Sequence, residues 1–129
     1  MTFAALITWF ATAAGGICLL AIWLVEYDHK DAATRLPRTA VSAHAVLALA
    51  GLVVWSAYLT SDSSRLAWTA ILILAAVMVP AGARGAGPEI PAPVPPERNL
   101  PVPVVIAHGV LAAATVVLVL LTALGVGGS

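Results

Sequence analysis

The sequence predicts an all-α membrane protein that folds as a four-helix up-down bundle. Its 129 residues are 61% hydrophobic and only 9% charged, a composition typical of proteins with several membrane spans. The charged residues fall into clusters, which leave four charge-free stretches: residues 1–25, 39–61, 66–83 and 99–129. A helix that crosses a bilayer needs about 20 mostly apolar residues, so these stretches predict four spanning helices.

We expect the spans at about residues 4–25, 40–60, 66–82 and 103–124. The third span is the shortest, and Pro80 followed by Gly82 is typical of a helix end. Residues 1–129 are therefore expected to form a single transmembrane domain. The first span lacks the positively charged start of a signal peptide, so we expect it to remain in the protein.

Two loops differ in character. Residues 60–65 form a short connection, which predicts that spans two and three are antiparallel neighbours. Residues 80–103 contain eight of the nine prolines, and a segment so rich in proline favours polyproline II over helix. This Pro-rich loop is a solvated connector, a docking segment for a partner or a lid over a site, and the sequence leaves all three open.

The positive charges predict an orientation in the plasma membrane. The loops after spans one and three carry five of the six Lys and Arg residues: Lys30, Arg35, Arg38, Arg84 and Arg98. The loop after span two carries only Arg65. By the positive-inside rule, the first and third loops are cytoplasmic and both termini lie outside. The tryptophans lie mostly towards the span ends, which predicts aromatic belts at the membrane surfaces; they are Trp9, Trp23, Trp55 and Trp68.

A short internal repeat is the strongest functional signal. Residues 43–50 and 107–114 agree at six of eight positions, and each copy contains a histidine, His44 or His108. A histidine inside a membrane span is costly and is therefore a functional hypothesis by default. Spans two and four run in the same direction, so the two histidines are expected at similar depth in one leaflet.

The bundle geometry predicts what the two histidines could hold. Helices two and four of an up-down bundle are diagonal, and neighbouring axes about 8–10 Å apart put diagonal axes about 11–14 Å apart. That gap suits a haem iron with two axial histidines. A zinc ion suits it less well, because zinc needs its ligands closer together and usually has four of them. We therefore expect haem b, with His44 and His108 as the metal ligands.

Other residues complete the predicted cofactor site. Ala48, Gly51 and Ala112 are small residues one to two helical turns beyond the histidines, and they would give a macrocycle clearance. Small residues are also how membrane helices pack on each other, so this signal has a second interpretation. Arg38 and Arg98 lie on the histidine side and are candidate partners for haem propionates. The alternative interpretation is that they act only as topology signals and bind lipid headgroups.

A few membrane helices with His44 and His108 on two of them resemble cytochrome b561-like proteins and other small membrane-anchor cytochromes. The resemblance implies a b-type haem and electron transfer. Proteins of the b561 type carry two histidine pairs, whereas this chain has one. A single haem near one face cannot carry an electron across about 30 Å of hydrocarbon, so the electron would be exchanged on one side, or with a partner subunit or quinone. The composition is also similar to that of small, uncharacterised membrane proteins of high-GC bacteria.

Other functions stay open from the sequence. The chain could be a non-catalytic accessory subunit of a larger membrane complex of the respiratory type, with no cofactor. As a haem protein, it is expected to work as a homodimer or docked to a larger redox subunit. The membrane histidines could form a metal site with His29, completed by Asp28 or Asp31. Met78 is a rival haem ligand in the same leaflet, although a lone Met in a span usually serves packing. A proton-coupled exporter is disfavoured, because it needs an acidic residue inside the membrane.

Overall fold

The structure is a computed structural model, and it describes residues 1–26, 38–78 and 99–126. Within these ranges the chain forms four α-helices and no strand: α1 (Thr2–Glu26), α2 (Arg38–Ser61), α3 (Ser64–Met78) and α4 (Val102–Ala123). The predicted all-α class is confirmed, and each helix begins close to the residue expected from hydropathy. The first loop and most of the Pro-rich loop lie outside the described residues, so the predictions made for them are not addressed.

Local sequence explains where the helices begin and end. Helix α4 starts after Pro101, and the carbonyl oxygen of Pro101 accepts hydrogen bonds from the amides of the first turn, where proline is tolerated. The helix ends at Ala123, and Gly125 two residues later has a φ of 74°, in the left-handed region that favours glycine after a helix. Asp62 makes the α2–α3 connection with a φ of 50°, a conformation that aspartate tolerates better than most residues.

Three of the helices, α1, α2 and α4, are long and apolar enough to cross a membrane. Helix α3 is apolar but has 15 residues, which corresponds to about 22 Å against about 30 Å of hydrocarbon. The predicted third span reached residue 82, and residues 79–82 lie outside the described part of the chain. A fourth crossing therefore stays a prediction.

The helices pack as two layers. Helix α1 packs most extensively on α4 and α2 on α3, while the contacts of α1 with α2 and of α3 with α4 are fewer. Helices α2 and α4 are diagonal, as expected, and their backbones do not approach each other within the described residues. Near the ends of α1 and α4, the side-chain amide of Asn99 donates a hydrogen bond of 2.9 Å to the Glu26 carboxylate. The sequence also predicts two helix-hairpin halves, α1–α2 and α3–α4, each with one copy of the internal repeat. The most extensive contacts instead join α1 to α4 and α2 to α3, because α1 packs on α4 more than on α2.

The hydrophobic core lies at the end of the bundle that contains the α2–α3 connection, which we call the packed end. Its buried residues come from all four helices: Ala5, Trp9, Trp55, Ala67, Ala70, Leu74 and Val119. The rings of Trp9 and Trp55 have centroids 6.5 Å apart, and Trp55 is fully buried. The predicted aromatic belt is therefore wrong for these two tryptophans, because they fill the centre of the bundle. The indole nitrogen of Trp55 is buried without a hydrogen-bond partner among the described residues.

The opposite end of the bundle is packed differently. We call it the histidine end; it consists of the second half of α1 and the first halves of α2 and α4. Buried residues resume there only at Trp23, near the end of α1. Between the level of Gly51 and that of Trp23, every described residue is partly or fully exposed. The tight core thus stops about halfway along the bundle.

Candidate functional site

His44 and His108 meet at the histidine end, between the two layers. Each lies six residues after the first residue of its helix, which places it about 9 Å along the helix axis. Their ring centroids are 6.3 Å apart, and the ring planes are inclined by 53°. The structure therefore brings together the two histidines that the repeat singled out, at the same depth and from diagonal helices.

His108 is held by helix α1. Its Nδ1 lies 2.9 Å from the backbone carbonyl oxygen of Thr12. A carbonyl oxygen only accepts hydrogen bonds, so Nδ1 must be the protonated nitrogen and donates to Thr12. In the neutral ring, Nε2 then keeps its lone pair, which is the arrangement that metal-bound histidines usually show.

Two glycines let the His108 ring come this close to α1. A Cβ atom on Gly16 would lie 3.0 Å from Cε1 of His108, and one on Gly15 would lie 3.6 Å from Nδ1. The imidazole therefore rests on the backbone of α1 at the Gly15–Gly16 step. We call the Thr12 carbonyl and these two glycines the α1 seat.

Two threonine hydroxyl groups lie next to the α1 seat, on its side towards the packed end. The Thr12 hydroxyl donates to the carbonyl of Thr8 at 2.7 Å, and the Thr115 hydroxyl donates to the carbonyl of Leu111 at 2.8 Å. The two hydroxyl oxygens approach to 3.5 Å between α1 and α4, and Thr115 is buried. Because each hydroxyl hydrogen is already used within its own helix, this contact adds little stability but gives the boundary of the core a polar surface.

His44 is held less firmly. Its side chain is exposed, and among the described residues its imidazole makes the ring contact with His108 but no hydrogen bond. The described part of α3 ends at Met78, 14 residues after Ser64, whereas His44 lies 17 residues before Ser61. At about 1.5 Å per residue, α3 stops about one helical turn short of the level of His44.

The predicted small residues separate into two groups. Ala48 and Ala112 lie one turn beyond the histidines and are partly buried, and their role beside a cofactor stays a prediction. Gly51 is instead part of the core, where a Cβ atom would lie 2.7 Å from Cζ2 of Trp9 and 3.1 Å from Cγ2 of Ile73. Core packing alone therefore explains why residue 51 is glycine.

The remaining predicted residues lie at the edge of the site or outside the described ranges. Arg38 is exposed and is the first residue of α2, six residues before His44. Met78, the rival ligand, is the last described residue of α3 and is exposed. Arg98 and His29 lie outside the described residues, and so do Asp28 and Asp31.

Sequence reasoning missed the α1 seat, although a signal for it was present. Two adjacent glycines in the interior of a helix each cost about 1 kcal/mol relative to alanine. In a chain that uses alanine so freely, Gly15 and Gly16 therefore indicate a close approach by another group. The carbonyl of Thr12 carries no signal of its own, because any residue would supply it.

The donor set is small. Among the described residues, no third His, Cys, Asp or Glu joins the pair to make a group that could hold a metal ion. Two imidazoles leave a bare zinc ion short of its usual four ligands. They match the two axial positions of a haem iron, because the macrocycle supplies the other four nitrogens.

Comparison with known proteins does not extend this description. No protein-family model, no curated protein and no solved structure matches the chain. The resemblance to cytochrome b561-like proteins therefore still depends on the helix layout and on the positions of His44 and His108 alone.

Proposed function

We propose that this protein is a membrane electron carrier, or an electron-transfer subunit, that binds one b-type haem between His44 and His108. In this proposal all four helices cross the plasma membrane, and the haem lies near the cytoplasmic face. When bound, haem supplies an iron that gains and loses one electron. The protein supplies the two axial nitrogens, the low-dielectric surroundings and the position of the cofactor near one membrane face.

The separation of the two imidazoles carries the proposal. A bond of about 2 Å joins a metal to a histidine nitrogen, and the ring centre lies about 1 Å further out, so two opposed ligands put their ring centroids about 6 Å apart. The centroids of His44 and His108 are 6.3 Å apart. The separation therefore agrees with that of two imidazoles opposed across one iron.

The protonation of His108 supports the same interpretation. Its Nδ1 proton is committed to the Thr12 carbonyl, so the nitrogen available to a metal is Nε2. In a ligating histidine, a hydrogen bond from the ring nitrogen that does not bind the metal to a backbone carbonyl fixes the tautomer and the ring orientation. The tautomer and orientation of the His108 ring are therefore those that ligation by Nε2 would require.

The loose packing of the histidine end also supports a guest between the layers. The buried core stops near Gly51 and Leu74, and no described residue at the level of the histidines is buried. If side chains of the bundle filled the space between the helices at the level of the histidines, some residues there would be buried. A flat macrocycle between α1/α4 and α2/α3 would bury those helix faces instead.

The position of the site limits the electron path. Both histidines lie about 9 Å from the starts of their helices, so a haem between them lies near one membrane face. An electron cannot cross the remaining hydrocarbon in one step, and donor and acceptor must therefore reach the same side. A quinone in that leaflet or a partner subunit docked at the histidine end would serve.

Absorption spectroscopy of the purified protein tests the proposal. The chain is expressed with haem supplied, purified in detergent and measured in the oxidised and reduced states. We expect a Soret band and a sharp α band in the reduced protein, and we expect the His44→Ala/His108→Ala double variant to lose both. His29→Ala is the control, because it removes a histidine outside the pair and should leave the spectrum unchanged. A colourless wild-type protein would refute the proposal.

An accessory subunit without a cofactor is the second candidate, and one observation favours it. Ring centroids about 4.5–7 Å apart are also ordinary for a tilted aromatic pair, and the pair at 6.3 Å and 53° falls within that range. The bond from His108 to Thr12 would then join α1 to α4 as a structural link. Under this alternative the double variant loses stability in detergent, and the wild-type protein never binds haem.

A further inference from the structure

The two imidazoles of the site differ in how they are held. His108 donates to the Thr12 carbonyl and rests on Gly15 and Gly16, so contacts on two sides of its ring define its orientation. His44 is exposed and forms no hydrogen bond with any residue of the described ranges. One ligand is therefore fixed by a neighbouring helix, and the other is fixed mainly by its own side-chain torsions.

We infer that the two ligands are functionally inequivalent: His108 is the permanent ligand, and His44 is the one that leaves the iron when a small neutral diatomic molecule binds. This inference rests on the proposed function and goes beyond it, because it gives the site a second activity, the reversible binding of a gas. The α1 seat is the positioning element, and it acts on the iron only through His108.

The seat favours retention of His108 for a physical reason. Rotation of its ring away from the iron would break the hydrogen bond to Thr12 and would lose the close contact with α1 at Gly16. Loss of an outer partner of this kind typically lowers metal affinity by about 10–100-fold. His44 has no comparable hydrogen bond or backbone contact to lose among the described residues.

The exchange is balanced without an oxidant or reductant. If haem is held as proposed, the bond from a ferrous iron to the ring nitrogen of His44 would break, and a bond from iron to the carbon of carbon monoxide would form. The His44 imidazole would leave as a neutral ring. No electron or proton is transferred, so removal of the gas restores the original ligand set.

Carbon monoxide is the probe for the first experiment, with haem-loaded full-length protein in detergent. We expect the ferrous wild type to bind it at a rate that saturates with gas concentration, because departure of His44 becomes limiting. His44→Ala should keep its haem in a five-coordinate, high-spin form and bind carbon monoxide without saturation. His108→Ala should retain at least about tenfold less haem than His44→Ala. Equal retention of haem in the two variants, or no binding of carbon monoxide to the wild type, would overturn the inference.

The α1 seat has its own matched test in the His44→Ala background, where only His108 holds the haem. Gly16→Ala places a methyl group 3.0 Å from Cε1 of His108, whereas Gly109→Ala meets no atom within 4 Å. We expect Gly16→Ala to lower haem retention about tenfold and to change the high-spin spectrum, and we expect Gly109→Ala to change neither. Equal effects of the two substitutions would refute a role for the seat.

A measurement without haem separates this inference from the proposed function. In the haem-free protein in micelles, ¹⁵N chemical shifts report which ring nitrogen of His108 carries the proton. We expect the Nδ1–H form, and Gly16→Ala should shift the balance towards Nε2–H, whereas Gly109→Ala should not. A dominant Nε2–H form in the wild type would refute the proposed role of the α1 seat. A colourless wild type would refute the proposed function, whereas a haem protein with two equivalent ligands would refute the inference alone.

Discussion

The indole of Trp9 occupies the space that a side chain at Gly51 would need. A Cβ atom on Gly51 would lie 2.7 Å from Cζ2 and 3.1 Å from Cη2 of that ring. Trp9 is buried and contacts Trp55, so it has no free direction in which to move. We therefore expect Gly51→Ala to destabilise the bundle by about 1–3 kcal/mol through overpacking. Unfolding in a detergent titration measures the change.

Gly109→Ala is the matched control for this prediction. It adds the same methyl group to a helix in open space, so helix propensity should make it neutral or slightly stabilising. Because Gly51 belongs to the core, its substitution should leave the absorption bands of haem-loaded protein in place. Bands that shift with no loss of stability would show that Gly51 lines the cofactor, as the sequence predicted, and would contradict the packing role.

Hydropathy and the internal repeat predict different parts of this fold and site. Hydropathy located the four helices closely, because apolar runs broken by charge are a direct consequence of a membrane environment. The repeat around His44 and His108 predicted their common depth, since depth along parallel helices follows from counting residues. Both predictions need only the position of residues within each span and no knowledge of which helices are neighbours.

The contacts between helices could not be predicted in the same way. Which helix supports His108 depends on the pairing of α1 with α4, and neither segment specifies its neighbour. Trp9 and Trp55 were assigned to the membrane surface because position along a span does not reveal which face turns inwards. Gly51 was assigned to a cofactor because a small residue fits a guest and an indole equally well.

A second prediction concerns the charge at the start of α2. If Arg38 pairs with a haem propionate, its removal takes a positive charge away from the iron, which stabilises the oxidised state. We expect Arg38→Ala to lower the midpoint potential by about 10–40 mV, the equivalent of an exposed ion pair worth about 0.2–1 kcal/mol. A redox titration followed at the α band measures it.

Arg65 provides the control, because it is an exposed arginine near the start of α3, at the opposite end of the bundle. Its replacement by alanine should leave the midpoint potential unchanged. If Arg38→Ala and Arg65→Ala give the same potential as the wild type, Arg38 serves topology or lipid headgroups and is not a partner of the cofactor.

A third prediction concerns orientation. Five of the six Lys and Arg residues lie in the first and third predicted loops or, like Arg38, at the helix start beside one, and the positive-inside rule places these in the cytoplasm. We expect a reporter that is active only in the cytoplasm to give no signal when fused after Ser129, and a strong signal when inserted at residue 86. The reverse pattern would invert the protein in the membrane, while His44 and His108 would still share one leaflet.

The last prediction concerns a partner. If the site carries electrons, a haem near one face needs a donor and an acceptor on that face. The sequence predicts a Pro-rich loop over residues 80–103, and loops of that length are usually functional or disordered. We expect the protein to work as a homodimer or docked to a larger redox subunit, with the Pro-rich loop as part of the contact. Native mass spectrometry in mild detergent should show an assembly for the intact chain and a monomer when residues 86–97 are replaced by a Gly/Ser linker of equal length. A chain that is monomeric in both forms and whose haem is still reduced by a quinol alone would show that no partner is required.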